Sequence, residues 1–107
     1  MKKKLLMSQL VNLLINKTMN KVTLITSEGC LGCEVMKKSI KAAIDKTKVS
    51  LEIEEMDINK VNKVFIKKFH IDDTPCALFF RDDKYLFKKI GSVPTVVVVQ
   101  WINVHYK

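Results

Sequence analysis

Two cysteines set three positions apart in Gly29-Cys30-Leu31-Gly32-Cys33 constrain this chain more than any other feature, because they fall where a strand-like run meets a helix-like one. Before them, Lys21-Val22-Thr23-Leu24-Ile25-Thr26 is apolar and β-branched, the composition of a buried strand. After them, Met36, Ile40, Ala43 and Ile44 recur at helical spacing and predict a helix from about Glu34 to Lys46. A C-x-x-C on such a turn reads as a redox dithiol. Half of a zinc ribbon would need a second pair, and the sequence has none.

The remaining elements follow from periodicity. Ser50 to Ile58 alternates Leu51 and Ile53 with Glu52 and Glu54, as a half-buried strand does, with an irregularity expected at Glu54-Glu55. Val61, Val64, Phe65 and Phe69 share one face of a second amphipathic helix ending near His70. Ile71-Asp72-Asp73-Thr74-Pro75 interrupts that pattern and leads into the apolar strand Cys76 to Phe80. The polar turn Arg81 to Lys84 joins it to Tyr85–Ile90, making a hairpin closed by Gly91. In the last stretch Thr95 to Val99 is β-branched and locally strand-like. Ser92 offers a cap, however, Pro94 fits a first helical turn, and Val97, Trp101 and Val104 share a face with Val98 and Ile102 beside them, so a helix is expected.

At 107 residues the chain is expected to be one domain, residues 1–107, with its core in 19–107. Residues 1–18 begin Met1-Lys2-Lys3-Lys4 and then Leu5-Leu6-Met7, which has the outline of an export signal. Ser8, Gln9 and Asn12 break the apolar run, and no small-x-small cleavage site follows before the strand. Leu6, Leu10, Leu13 and Leu14 instead predict an amphipathic helix packed on the core, preferred here to a membrane-surface anchor. Met19 leads directly into the strand and is an alternative start. No apolar run approaches the roughly 20 residues of a membrane span.

Three cysteines is an odd number, which fits one reactive pair and one spare thiol in a reducing, cytoplasmic compartment better than a disulfide framework. The net charge of +8, from 19 Lys and Arg against 11 Asp and Glu, raises the question of nucleic acid. The lysines are spread over Lys37, Lys38 and Lys41, over Lys60, Lys63, Lys67 and Lys68, and over Lys84, Lys88 and Lys89, without interleaved aromatics. Solvated helix faces explain that spread, and no nucleic-acid partner is expected.

Strands alternating with helices and ending in a hairpin imply an α/β domain with a mixed sheet covered on both faces. This order, with the C-x-x-C after the first strand, Thr74-Pro75 opening an apolar strand, and a hairpin and Gly91 before a final helix, resembles the thioredoxin-like superfamily from Lys21 onward. The resemblance implies a central mixed sheet of four strands and a small thiol–disulfide oxidoreductase that reduces or exchanges protein disulfides. It casts Pro75 as a cis residue beside the dithiol and the backbone at Thr74 as a contact for the substrate chain. It further implies no bound organic cofactor, with electrons drawn from a small thiol or a flavin-dependent reductase. The chain departs from the standard members at several points. Gly29 stands where thioredoxins carry Trp, Leu31-Gly32 replaces Gly-Pro, and Leu24 occupies the place of a buried acid. Gly91-Ser92-Val93-Pro94 also lacks the glutathione-binding pattern of glutaredoxins.

The chemistry assigns Cys30 as nucleophile and Cys33 as resolving thiol. If the helix starts at or just after Cys30, free N–H groups and the positive end of its dipole favour the Cys30 thiolate, while Glu28 and Glu34 oppose it and Lys37 or Lys38 compensates in part. Cys76 reads first as a small buried hydrophobe. Its sharper reading is a third thiol or, with Cys30, Cys33 and His70, part of a set of three cysteines and a histidine for zinc or an iron–sulfur cluster. Two rivals to the oxidoreductase therefore stay open: a metal- or cluster-binding protein, and a redox-inert interaction module. Phe65, Phe69, Phe79, Phe80 and Trp101 are expected in the core, and Asp72-Asp73 in a turn.

Overall fold

The computed structural model describes residues 20–107; the helix expected in residues 1–18, with Leu6, Leu10, Leu13 and Leu14, and the alternative start at Met19 lie outside the described residues. The apolar, β-branched run forms β1, Lys21–Thr26, and passes through a short turn into helix α1, Leu31–Thr47. Strand β2 is Glu52–Asp57, followed by a 3-10 turn at Ile58–Lys60 and a short helix α2, Lys63–Lys68. Strands β3, Cys76–Arg81, and β4, Lys84–Ile90, form the hairpin, and α3 is Thr95–His105.

The sheet has four strands in the order β2-β1-β3-β4. Strands β1 and β2 run parallel, while β3 lies antiparallel to both β1 and β4. This is the mixed, helix-covered sheet that the element order implies. Period-two alternation splits its core in two. Val22, Leu24, Ala77 and Phe79 face α1 and α3, where Met36, Ile40, Ala43, Val98 and Ile102 are buried against them. Ile25, Cys76 and Leu78 face the other way, onto Val61, Ile71 and the α2 side chains Phe65 and Ile66. Phe79 anchors the first cluster: its ring stacks on Phe87 at 4.6 Å, and Trp101 meets it edge-on at 5.6 Å.

Several expectations need correction. The β1–β2 register runs without a break from Lys21↔Glu52 to Thr26↔Asp57, so Glu54-Glu55 carries no irregularity. Both glutamates are tolerated because β2 is an edge strand. An interruption of register occurs instead in the hairpin, between Phe79 and Phe80, where the strand pattern alone gave no sign of it. Asp82 and Asp83 both take left-handed backbone (φ 52° and 68°), the conformation of a two-residue hairpin turn matched to strand twist.

The second helix is shorter than its apolar spacing suggests, because Val61 lies before it and the Asn62 side chain caps it by accepting from Val64 N–H at 2.7 Å. The C-terminal segment is helical despite its β-branched residues, since burying Val98 and Ile102 on the sheet outweighs local propensity. Its cap position is Pro94, not Ser92, and no side chain caps it. Its buried seam is Val98 and Ile102, with Val104 73% exposed rather than on the core face. Among the described residues no helix is long and apolar enough to cross a membrane.

Candidate active site

Gly29 takes left-handed backbone (φ 72°), which turns the chain from β1 into α1. Cys30 is then the residue that caps α1, and its Sγ accepts a hydrogen bond from Cys33 N–H at 3.0 Å. One of the N–H groups left free at a helix start is thereby aimed at the cysteine sulfur. Cys30 and Cys33 are joined as a disulfide with Cα atoms 5.2 Å apart. Cys30 is half-buried, whereas Cys33 is 3% exposed and packs under the first turn of α1. The helix begins earlier than its apolar residues alone indicate, because the small and polar first turn carries no periodic signal.

Pro75 comes from the segment ahead of β3 and closes one side of this turn. The Thr74–Pro75 peptide is cis, as the resemblance implies. The Pro75 ring packs close to Gly32, so that a β-carbon placed there would stand 3.4 Å from Pro75 Cδ and 4.0 Å from Ser92 Oγ. The hydroxyls of Ser27 and Thr74 are 2.6 Å apart, tying the strand end that leads into the dithiol to the segment that leads into Pro75. Asp73 accepts from Thr74 N–H at 2.8 Å, and Gly91 N–H donates to Pro75 carbonyl oxygen at 2.8 Å. Thr74 and Pro75 are thus held against the dithiol turn from both sides. Leu31, 84% exposed, stands out from the motif, and Val35 is exposed one turn along.

Cys76 is fully buried, and its side chain packs with Ile25, Val61, Ile71 and Leu78 on the α2 side of the sheet, the opposite face from α1. Burial pushes its thiol above the ordinary range; nearby Lys88 partly offsets this, and Asp72 adds to it. His70 is exposed with left-handed backbone (φ 52°), and its carbonyl accepts from Lys88 Nζ at 2.6 Å. Cys30, Cys33, Cys76 and His70 are not brought together, and no group of three or more His, Cys, Asp or Glu among the described residues is placed to hold a metal ion.

Leu24 is fully buried in the α1-side cluster, so no acid of β1 reaches the dithiol. Lys37, expected to offset the flanking glutamates, is held by Glu55 of β2 at 2.9 Å, and this partner raises its pKa. The sequence assigns no part in the site to Ser27, Ser92 or Glu55. Each depends on a contact between residues far apart in the chain, for which local pattern offers no signal.

No protein-family model matches the sequence, and comparison with curated proteins gives no match. Solved structures do match in fold. Thioredoxin-2 of the malaria parasite, described as a component of its protein secretion machinery, superposes with a TM-score of 0.69 at 16% identity over 82% of this chain and 84% of that one. Chloroplastic thioredoxin z gives 0.66 at 12% identity over 95% of this chain and 91% of that one. Thioredoxin from Aeropyrum pernix gives 0.64 at 16% identity over 81% and 75%. The chain has the thioredoxin fold.

Proposed function

From a thioredoxin fold with a paired dithiol at the start of α1, we propose that this protein is a small thiol–disulfide oxidoreductase acting on protein disulfides. The observation that carries the reading is the unequal placement of the two sulfurs: Cys30 half-exposed at the helix cap and Cys33 buried one turn on. In the reduced protein the Cys33 N–H and the helix start favour a thiolate at Cys30. That thiolate attacks one sulfur of a substrate disulfide; a Cys30–substrate bond forms, and the other substrate sulfur leaves with the electron pair and takes up a proton. Cys33 then attacks Cys30, releasing the second substrate sulfur and leaving the Cys30–Cys33 disulfide. The dithiol is oxidised by two electrons and the substrate reduced by two.

Thr74 and Pro75 form the wall along which the substrate chain lies, with the apolar Leu31 side chain projecting beside it. The partners are protein disulfides on one side and a small thiol or a flavin-dependent reductase on the other, in the cytoplasm, with no bound cofactor. Burial of Cys76 on the far side of the sheet supports a packing role for it rather than a third redox thiol. The test is trapping. Cys33→Ser should accumulate a mixed disulfide with a disulfide-containing protein substrate, and Cys30→Ser should accumulate none. Equal trapping by both variants, or by neither, contradicts the assignment.

A further inference from the structure

Cys33 poses a problem that the dithiol alone does not solve. As resolving thiol it must lose its proton, yet it is 3% exposed and its own backbone N–H is directed at the Cys30 sulfur. Lys37 follows it by one turn on the same face of α1, a spacing that puts β-carbons about 5–6 Å apart. The Lys37 ammonium is held at 2.9 Å by Glu55, and Glu55 is the register partner of Leu24, the buried residue beneath α1. The pair therefore bridges α1 and β2 one turn along α1 from Cys33, with side chains 30% and 40% exposed.

We propose that Lys37 and Glu55 together set the ionisation of Cys33, Lys37 favouring its thiolate and Glu55 tethering and moderating Lys37. The inference rests on the oxidoreductase reading. In the resolving step the Cys33 proton leaves to solvent and the thiolate pair forms the bond to Cys30 Sγ. The Cys30–substrate bond breaks with its electrons on the substrate sulfur, which takes a proton from water. Neither Lys37 nor Glu55 is consumed; both act on Cys33 through charge and position.

Of the other charges at this end of the sheet, Glu28, Lys38 and Asp72 are exposed. Asp57 accepts from Asn59 N–H and Asp73 from Thr74 N–H, each at 2.8 Å. Lys88 Nζ donates to the Phe69 and His70 carbonyls at 2.7 and 2.6 Å. Glu34 is exposed on α1, and its charge also raises the Lys37 pKa. Strand β1 faces α1 with Val22 and Leu24, and β3 with Ala77 and Phe79, so neither contributes a charge on that face.

The test is the Cys33 pKa in the reduced full chain, followed by the 13C shift of its β-carbon, in wild type, Lys37→Met, Glu55→Gln and the double variant. Lys37→Met keeps the stem that packs on the helix and leaves Glu55 uncompensated, so the Cys33 pKa should rise by roughly half a pH unit. Glu55→Gln frees the Lys37 charge, and the pKa should fall by a similar amount. The double variant should return close to wild type, and salt should shrink both shifts. A structural staple alone predicts shifts of one sign or none, and either result overturns the proposal. The redox couple of the same samples separates the two claims: a reversible wild-type couple without opposed shifts overturns the pair's role only, and absence of the couple overturns both.

Discussion

Gly32, inside the dithiol motif, packs directly on the ring of Pro75, from a segment far along the chain, with room between them for a β-carbon at 3.4 Å and little beyond. This contact fixes the spacing between the redox turn and the wall proposed for substrate. Because 3.4 Å is an ordinary contact, Gly32→Ala should fit and should raise stability by about 0.5–1 kcal/mol through lower backbone entropy in the first turn of α1. Gly32→Val should push against Pro75 and Ser92, costing about 1–3 kcal/mol and slowing reduction of protein disulfides. Urea unfolding and turnover of a disulfide-containing protein measure both effects; equal stability of the two variants would contradict the contact.

Ser27 and Thr74 share a hydrogen bond at 2.6 Å across the base of the site. Ser27→Ala should cost about 1 kcal/mol and loosen the segment that presents Thr74 to substrate. The expected kinetic result is a several-fold rise in KM for a protein disulfide with kcat nearly unchanged, and Ser27→Thr should restore part of it. A fall in kcat at constant KM would place Ser27 in the chemical step instead.

Burial holds the Cys76 thiol in its protonated form and within an apolar cluster. In the folded, reduced protein Cys76 should resist alkylation at a pH at which Cys30 reacts, becoming labelled only on unfolding. Cys76→Ala should lower stability by about 1–2 kcal/mol and leave the Cys30–Cys33 couple unchanged. Mass spectrometry of the labelled protein reads the first result, and a shifted couple would restore the third-thiol reading.

Tyr106 closes the end of α3 by donating its hydroxyl to the Phe80 carbonyl at 2.9 Å, and burial pushes its pKa up to about 12 from an ordinary 10.0, with Arg81 acting in the opposite direction. A raised pKa means that the unfolded chain loses this proton first as pH rises. The stabilisation is thus complete below pH 10 and declines between pH 10 and about 12. Thermal melts across that range should fall more steeply in wild type than in Tyr106→Phe; parallel curves would show that Tyr106 is not the group responsible.

The elements were legible where one face of local periodicity met the core. Strand β1 and helix α1 were visible in Val22, Leu24, Met36 and Ile40, all of which are buried. Helix α3 was legible despite Val96 to Val99 from the spacing of Val97, Trp101 and Val104, although the face the sheet buries is that of the neighbouring Val98 and Ile102. The dithiol was legible because its residues are adjacent in sequence. The Ser27–Thr74 bond and the Lys37–Glu55 pair were not, since both depend on strand register and on how α1 sits over the sheet. The hairpin irregularity near Phe79 was hidden for a related reason: β4 reads as a continuous run, and only pairing against β3 shows where its register slips.

The central claim is that Cys30 and Cys33 exchange two electrons. Equilibration of the full chain against a graded dithiol buffer, with the fraction oxidised read by alkylation, tests it most directly. The account predicts one reversible transition at a fixed midpoint, along which the ratio of reduced to oxidised protein changes tenfold for about 30 mV of buffer potential, as a two-electron couple requires. A pair that stays reduced or stays oxidised across the whole range, or that titrates irreversibly, would contradict it.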